Sequence, residues 1–264
     1  MKSFRIFSAY FFQFLKTQMS YRWDFIASII SGLFTSASGV IFVTLLINGS
    51  TIKSLQGWSK PEILFIYGFS LIISGIFGLF SRNLWRFGEK YIIEGQFDRV
   101  LLRPVSSLAQ VVFEAFNLDA IGTILMGILL MVKAKASLGI TFTFAQIAWL
   151  IFSIPCGAVT LLCVFITLAS LSFHFEDRFG VVPPFYNLIQ FGRYPVTIYN
   201  KVLQFLIQWI IPYSFIAFFP ATTLIGRDEF WFYASLTPVV AVVWLFVVSF
   251  AWKLGVKKYE STGT

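Results

Sequence analysis

Residues 81–110 read SRNLWRFGEKYIIEGQFDRVLLRPVSSLAQ and form a polar segment between two long apolar runs. The segment holds eight charged side chains, which are Arg82, Arg86, Glu89, Lys90, Glu94, Asp98, Arg99 and Arg103. Charge of this density cannot lie in hydrocarbon. Apolar residues nevertheless return at helix-like spacing between Tyr91 and Leu102, and Pro104 ends the pattern. The polar segment is therefore predicted to be an amphipathic loop that lies on the cytoplasmic membrane surface and docks onto another protein.

The composition of the chain predicts an all-α polytopic membrane protein. Its 264 residues are 58% hydrophobic and 12% charged, whereas soluble domains carry about 25% charged residues. The mean hydropathy is +0.80. The net charge of +8 includes no basic run interleaved with aromatic residues in a polar setting. We therefore expect the lipid bilayer, and not nucleic acid, to be the partner of these charges.

Several apolar runs are long enough to cross a bilayer, for which about 20 residues suffice. Membrane spans are predicted at residues 25–48, 62–80, 111–131, 144–173 and 230–252. Glu114 and Asp119 fall in the first turns of the third span, where a helix N-terminus tolerates a carboxylate, and are expected to be interfacial anchors. A loop is expected at residues 133–143. Residues 1–22 place phenylalanines opposite basic side chains, which predicts an N-terminal amphipathic interfacial helix.

The proline-rich residues 180–226 allow two interpretations. In the first, residues 180–200 lie on the surface and a fifth span covers residues 202–224. In the second, the fifth span covers residues 180–198, and the apolar stretch 203–224 is a re-entrant helical hairpin that enters the membrane from outside.

The distribution of basic residues orients the chain with both termini in the cytoplasm under either interpretation, and six spans result. Charge alone favours the first interpretation, because it keeps Arg193 and Lys201 on the cytoplasmic side.

The sequence contains no nucleotide-binding or catalytic motif. The dipeptide Gly-Lys is absent, which excludes a P-loop, and the single histidine, His174, lies in a charged turn. The chain is therefore not expected to be an enzyme. The alternative of a self-contained secondary carrier or channel would need intramembrane charges or an internal repeat, and neither is found at usable strength. We expect any energy source to be another polypeptide.

Several stretches resemble the membrane subunits of ABC-2 type exporters, in particular bacterial permeases of this length. They are the amphipathic start at 1–22, FDRVLLRPVSSLAQV at 97–111, FHFEDRFG at 173–180, RYPVTIYNKVLQFLIQWIIPYSFIAFFPATTLIG at 193–226 and the basic end at 253–264. The resemblance covers residues 1–264 as a single permease domain. It implies a cytoplasmic coupling helix in the loop after the second span and a re-entrant extracellular hairpin between the fifth and sixth spans. The resemblance therefore reverses the preference from charge and favours a hairpin at residues 203–226.

The resemblance also implies particular site residues. Coupling to an ATP-binding subunit would fall on Glu94, Phe97, Asp98, Arg99, Leu101, Leu102 and Arg103. The translocation path and the hairpin would include Tyr194, Pro195, Pro212, Tyr213 and Ser214. The proline pairs Tyr194-Pro195 and Ile211-Pro212 would delimit the hairpin.

The resemblance further implies partners and location. A permease of this kind works in the bacterial plasma (inner) membrane with two ABC ATP-binding subunits and with a second permease, identical or related. ATP and magnesium would bind to the partner subunits, so no cofactor, metal or catalytic residue is expected in this chain. The transported substrate does not follow from the resemblance.

Overall fold

The computed structural model describes Lys16 and residues 22–49, 54–175, 185, 187–188 and 191–261. The α-helices in chain order are α1 (Arg22–Gly49), α2 (Lys60–Phe80), α3 (Arg82–Trp85), α4 (Phe97–Leu101), α5 (Ser107–Phe113), α6 (Asp119–Leu138), α7 (Phe144–Ser170), α8 (Lys201–Phe205), α9 (Phe219–Leu224), α10 (Trp231–Ser235) and α11 (Thr237–Lys258). Short 3₁₀-helices cover Leu171–Phe173, Val196–Ile198 and Asp228–Phe230, and π-helices cover Phe87–Ile93, Leu206–Ile210 and Ser214–Phe218. Two short strands, β1 (Ser54–Leu55) and β2 (Trp58–Ser59), pair antiparallel between α1 and α2.

Within the described ranges, five helical stretches are long and apolar enough to cross a membrane. They are Arg22–Ile41, Lys60–Phe80, Asp119–Leu138, Phe144–Phe173 and Asp228–Lys258. A sixth crossing results only if Lys201–Ile210 and Ser214–Leu224 count as one span. The chain bends by 74° between these two helical stretches. We call these two stretches together the bent segment. The prediction of an all-α protein that crosses the membrane several times is confirmed.

The amphipathic helix predicted at 1–22 lies outside the described residues except for Lys16 and Arg22. Of the fifth span predicted at 180–198, the structure describes residues 185, 187–188 and 191–198. Residues 193–195 are not helical, and a 3₁₀-helix follows at Val196–Ile198, so the predicted span does not continue as one helix to Ile198.

The third span begins later than the prediction placed it. The apolar run 111–131 is divided, because α5 ends at Phe113 and α6 begins only at Asp119. The division falls at Glu114, whose carboxylate is held by the polar segment. Glu114 is therefore not in the first turn of a span, and its predicted position was wrong, whereas Asp119 does lie in the first turn of α6.

The loop expected at residues 133–143 was also wrong over half its length, because α6 continues to Leu138. Lys135 extends along this last turn and places its ammonium 4.4 Å from the centre of the Phe142 ring, as long basic side chains do at the ends of apolar helices. The helix ends at Gly139, whose φ of +66° suits a left-handed cap that a side chain would disfavour.

Helix α2 lies at the centre of the bundle. It packs against α6 over its length and also against α7, while α6 packs against α1 and α7 against α11. The contact with α6 is close because small residues face each other: a Cβ added to Gly68 would lie 2.9 Å from the carbonyl oxygen of Gly127. Small residues that let two backbones approach are typical of helix contacts in membranes.

The start of α2 is fixed by a capping box. The backbone N–H of Ser59 donates to Glu62 Oε2 at 2.7 Å, and Pro61 occupies the first turn. Helix α2 therefore runs from the two strands to the polar segment, and we name the two ends of the bundle the strand end and the polar-segment end.

Candidate functional site

An aromatic cluster anchors the polar segment to the bundle. Its members are Phe87, Phe97, Phe173, Trp252 and Tyr259. The Phe97 ring is fully buried, and its centre lies 4.9 to 6.3 Å from the centres of the other four rings. Trp252 near the end of α11 also donates a hydrogen bond to Ser107 Oγ at 3.0 Å. Mostly edge-to-face ring contacts at these distances add to the apolar burial, so the cluster couples α4 to the ends of two membrane helices.

Glu114 balances positive charge in the polar segment. Its carboxylate lies 3.0 Å from Arg99 Nη2 and 3.8 Å from Lys90 Nζ, and it accepts a hydrogen bond from the Tyr91 hydroxyl at 2.5 Å. Burial, reinforced by the bond to Glu114, raises the pKa of Tyr91 far above its ordinary value. Burial lowers the pKa of Lys90, against the opposing effect of Glu114. The network holds the start of the polar segment against the turn after α5.

Five of the seven predicted coupling residues are exposed. Glu94 precedes α4, Arg99 and Leu101 belong to it, and Leu102 and Arg103 follow it. Leu102 is 86% exposed and Leu101 is 47% exposed, although neither lies in a membrane span. Asp98 is half-buried and accepts a hydrogen bond from Ser261 Oγ at 2.6 Å, which ties α4 to the C-terminal tail. Phe97 lies inside the aromatic cluster, so a partner cannot reach its ring.

Both flanks of the bent segment reach the strand end of the bundle. Before the segment, Thr197 accepts a hydrogen bond from Trp58 Nε1 at 2.8 Å. After it, Arg227 forms an ion pair with Glu62 at 2.8 Å and donates to the carbonyl of Gly57 at 2.8 Å. The Arg227 guanidinium also lies 4.7 Å from the centre of the Trp58 ring. The two flanks therefore contact the same pair of strands and the first turn of α2.

The second half of the bent segment packs along α7, and its C-terminal end lies nearer the strand end. Trp149, near the start of α7, donates a hydrogen bond to the carbonyl of Pro220 at 3.1 Å. Further along α7, a Cβ added to Gly157 would lie 2.5 Å from the carbonyl oxygen of Ile216. Because Trp149 and Gly157 are about 12 Å apart along the helix axis, Ile216 lies well below the level of Pro220.

The predicted translocation residues occupy two places. Pro212, Tyr213 and Ser214 are buried at the bend, where Tyr213 donates a hydrogen bond to the carbonyl of Phe185 at 3.0 Å. Tyr194 and Pro195 precede the bent segment, and the Tyr194 ring lies 5.9 Å from that of Tyr67 in α2.

A cavity of about 1020 Å³ lies between α1, α2, the start of α6 and residues 191–199. Its lining mixes small polar side chains with aromatic ones, among them Thr35, Ser36, Ser38, Ser74, Tyr67, Trp85, Phe191, Tyr194 and Tyr199. Arg193 and Asp119 are the charged side chains in this lining. The volume is at the upper end of the range for small-molecule sites.

The two charges lie at different levels of the cavity. Arg193 is beside Tyr67, with its guanidinium 6.0 Å from the ring centre. Asp119 precedes Ala120, whose Cβ would lie 3.1 Å from a Cβ added to Gly78. Tyr67 and Gly78 are about 16 Å apart along α2, so the cation lies towards the strand end and the acid towards the polar-segment end.

Sequence reasoning found Tyr194 in this lining but missed the cavity itself. A signal was present in the first span, where residues 31–39 read SGLFTSASG. Small polar residues in an otherwise apolar span indicate a face that contacts protein or water more than lipid. Arg193 was noticed only as an awkward charge for the topology, and the structure places it at the cavity wall.

Comparison with known proteins identifies a family for most of the chain. Residues 33–263 match the family model described as ABC-2 family transporter protein. No curated protein and no solved structure gives a significant match. The matched region includes the polar segment, the cavity and the bent segment.

Proposed function

Because the chain belongs to the ABC-2 transporter family, we propose that it is the membrane-spanning permease subunit of an ATP-driven exporter. In this proposal the chain forms the translocation path, and two separate ABC ATP-binding subunits supply ATP and magnesium. A second permease, identical or related, completes the transporter in a bacterial plasma membrane. Both termini and the polar segment face the cytoplasm.

The observation that carries this proposal is the exposed pair Leu101 and Leu102, which lies beside the aromatic cluster. Adjacent large apolar side chains that are exposed outside the membrane spans suit a contact with another protein. Their helix, α4, is held from behind by Phe97 in the aromatic cluster. A displacement of the two leucines by a bound partner would therefore be transmitted to Phe173 and Trp252, at the ends of two membrane helices.

The test replaces Leu102 by Asp and measures how much Walker-motif ATPase co-purifies with the tagged full-length chain. A carboxylate in an apolar contact should cost about 2 kcal/mol or more, a loss of roughly 30-fold in affinity. Ser106→Asp is the matched control, because it adds the same charge at an exposed position beside the pair. Unchanged co-purification with Leu102→Asp, or an equal loss with Ser106→Asp, would contradict docking through the leucines.

We also propose that the bent segment is a re-entrant hairpin on the outer face. The contacts of Thr197 and Arg227 support this proposal, because both flanks meet the strand end while Ile216 lies deeper in the bundle. A proline at the bend suits a chain reversal, and the freed backbone groups are buried in protein instead of lipid.

Single cysteines at Lys201 and Asp228 test the hairpin, since both side chains are exposed. The background replaces Cys156 and Cys163 by alanine, and Ser106→Cys serves as the cytoplasmic reference. We expect an impermeant thiol reagent to label positions 201 and 228 in intact cells and position 106 only after lysis. Labelling at 228 without 201 would show a complete span instead.

A further inference from the structure

Arg193 carries a charge in the cavity wall that no described neighbour balances. Its Nε atom is fully buried without a hydrogen-bond partner. Among the described residues, no carboxylate lies within ion-pair distance of its guanidinium. Its contact with the Tyr67 ring, at 6.0 Å, contributes only about 1 kcal/mol, and the side chain as a whole is half-buried beside the cavity. An anion is the partner that this cation lacks among the described residues.

The surroundings do not supply that partner. Asp119 lies about 16 Å away along α2, far beyond the distance of an ion pair. A second void of about 10 Å³ borders Arg193, Ser70 and Tyr213, which is room for one water. A water there would satisfy the Nε–H group but would leave the positive charge of Arg193 in place.

The remaining lining indicates what else the ligand must carry. The cavity lining that includes Arg193 also includes the aromatic side chains Tyr67, Phe191, Tyr194 and Tyr199, whose rings offer apolar contact to a body much larger than a simple anion. Helix α1 contributes Thr35 and neighbouring small residues to the lining. Helices α1 and α2, which form two of its walls, both qualify as membrane spans.

We propose that the cavity binds an amphiphile with an anionic head group, a carboxylate or a phosphate. The head group pairs with the guanidinium of Arg193, whose planar fork matches two oxygens of such an anion. The apolar body lies against the aromatic side chains of residues 191–199 and Tyr67. This inference rests on the proposed function, because it names the class of molecule that the permease carries.

The experiment measures equilibrium binding to the purified full-length chain in phosphatidylcholine nanodiscs. The probes are dioctanoyl phosphatidic acid, the uncharged dioctanoylglycerol and inorganic phosphate. We expect the chain to bind the phosphatidic acid about tenfold or more tightly than the glycerol, since a hydrogen bond to a charged group is at stake. Inorganic phosphate that competes as well as the amphiphile would show a site for free anions and would overturn the amphiphile.

Variants assign the effect to Arg193. Arg193→Gln should remove the preference for the charged probe, whereas Arg193→Lys should retain part of it. Lys201→Gln removes the same charge from an exposed position nearby and should bind like the wild type. Thr35→Trp narrows the cavity from α1, where the side chain is exposed, and should weaken binding of both lipid probes.

The outcome is decided even if Arg193→Gln does not fold, because Thr35→Trp and Arg193→Lys test the same site. Unchanged binding in Thr35→Trp, or no preference for the charged probe in the wild type, would overturn the proposal. Since no ATPase is present in this assay, a failure of coupling through Leu102 leaves the binding result intact. The two proposals therefore fail separately.

Discussion

The aromatic cluster with its neighbouring ion pairs and the cavity treat packing and charge in opposite ways. At the polar-segment end, Phe97 is enclosed by four other rings, and Glu114 pairs with Arg99 and Lys90. Towards the strand end, a wide cavity adjoins Arg193, whose charge has no counter-ion among the described residues. A close-packed region moves as a unit, whereas an open one can adapt to a ligand. The difference suggests that the aromatic cluster transmits movement and that the cavity receives a ligand.

Helix α2 connects the cavity to the polar segment. Tyr67, Leu71 and Gly75 line the cavity, and Ser81 at the end of the helix begins the polar segment.

The largest effect is expected from Phe97→Ala, which removes the central ring of the aromatic cluster. Truncation of a fully buried phenylalanine costs about 3–5 kcal/mol of unfolding free energy. Thermal denaturation of the detergent-purified chain measures the loss. Leu102→Ala, also in the polar segment, is the control. The Leu102 side chain is 86% exposed, so this substitution should change stability by less than about 0.5 kcal/mol. Equal melting temperatures for the two variants would show that the cluster does not hold the polar segment.

A smaller effect on stability is expected from substitution of the two arginines towards the strand end, Arg227 and Arg193. Arg227→Gln leaves the largely buried carboxylate of Glu62 without its ion pair, which should cost about 1–3 kcal/mol. Arg193→Gln removes a charge that has no ion pair among the described residues and loses only the contact with the Tyr67 ring, so it should change stability by about 0.5–1 kcal/mol. Denaturant unfolding of both variants gives the comparison. If Arg193→Gln were as costly as Arg227→Gln, Arg193 would be a structural residue and the contrast between the aromatic cluster and the cavity would be lost.

The sequence predicted the elements that depend on local apolar pattern. The run at 144–173 matches Phe144–Phe173, because a long uninterrupted apolar stretch has no competing structure in a membrane. The third span was misplaced because its apolar run continues through Glu114. At the break, Glu114 pairs with Arg99, fifteen residues earlier in the chain, and the backbone N–H of Asn117 donates to the carbonyl of Leu79 at 3.2 Å. No local apolar pattern encodes these contacts.

The site was harder to predict because its members are distant in sequence. Phe97 was expected at a partner contact, and its burial depends on Phe173 and Trp252, which no local pattern connects to it. Leu101 and Leu102 are exposed as a docking surface requires. The cavity depends on the approach of α1 and of residues 191–199 to α2, and apolar periodicity does not encode that arrangement.

The smallest predicted effect concerns the pH dependence of the polar-segment end. The pKa of Tyr91 is raised in the folded chain by burial and by its bond to Glu114. Its contribution to stability is therefore complete below the unfolded pKa of about 10 and is lost as pH rises above it. Loss amounts to about 1.4 kcal/mol for each pH unit above 10, because only the unfolded chain releases the proton. Tyr91→Phe cannot ionise and escapes this loss.

Unfolding free energies at pH 7 and pH 11 measure the effect. At pH 7, Tyr91→Phe should be less stable than the wild type by about 1 kcal/mol, the value of the lost hydrogen bond. At pH 11 that gap should close, whereas Leu102→Ala should follow the wild type at both values. A gap of the same size at both pH values would mean that the phenol ionises equally in the folded and unfolded chain. The hydrogen bond to Glu114 would then not restrain the start of the polar segment, and the contrast with the cavity would rest on the aromatic cluster alone.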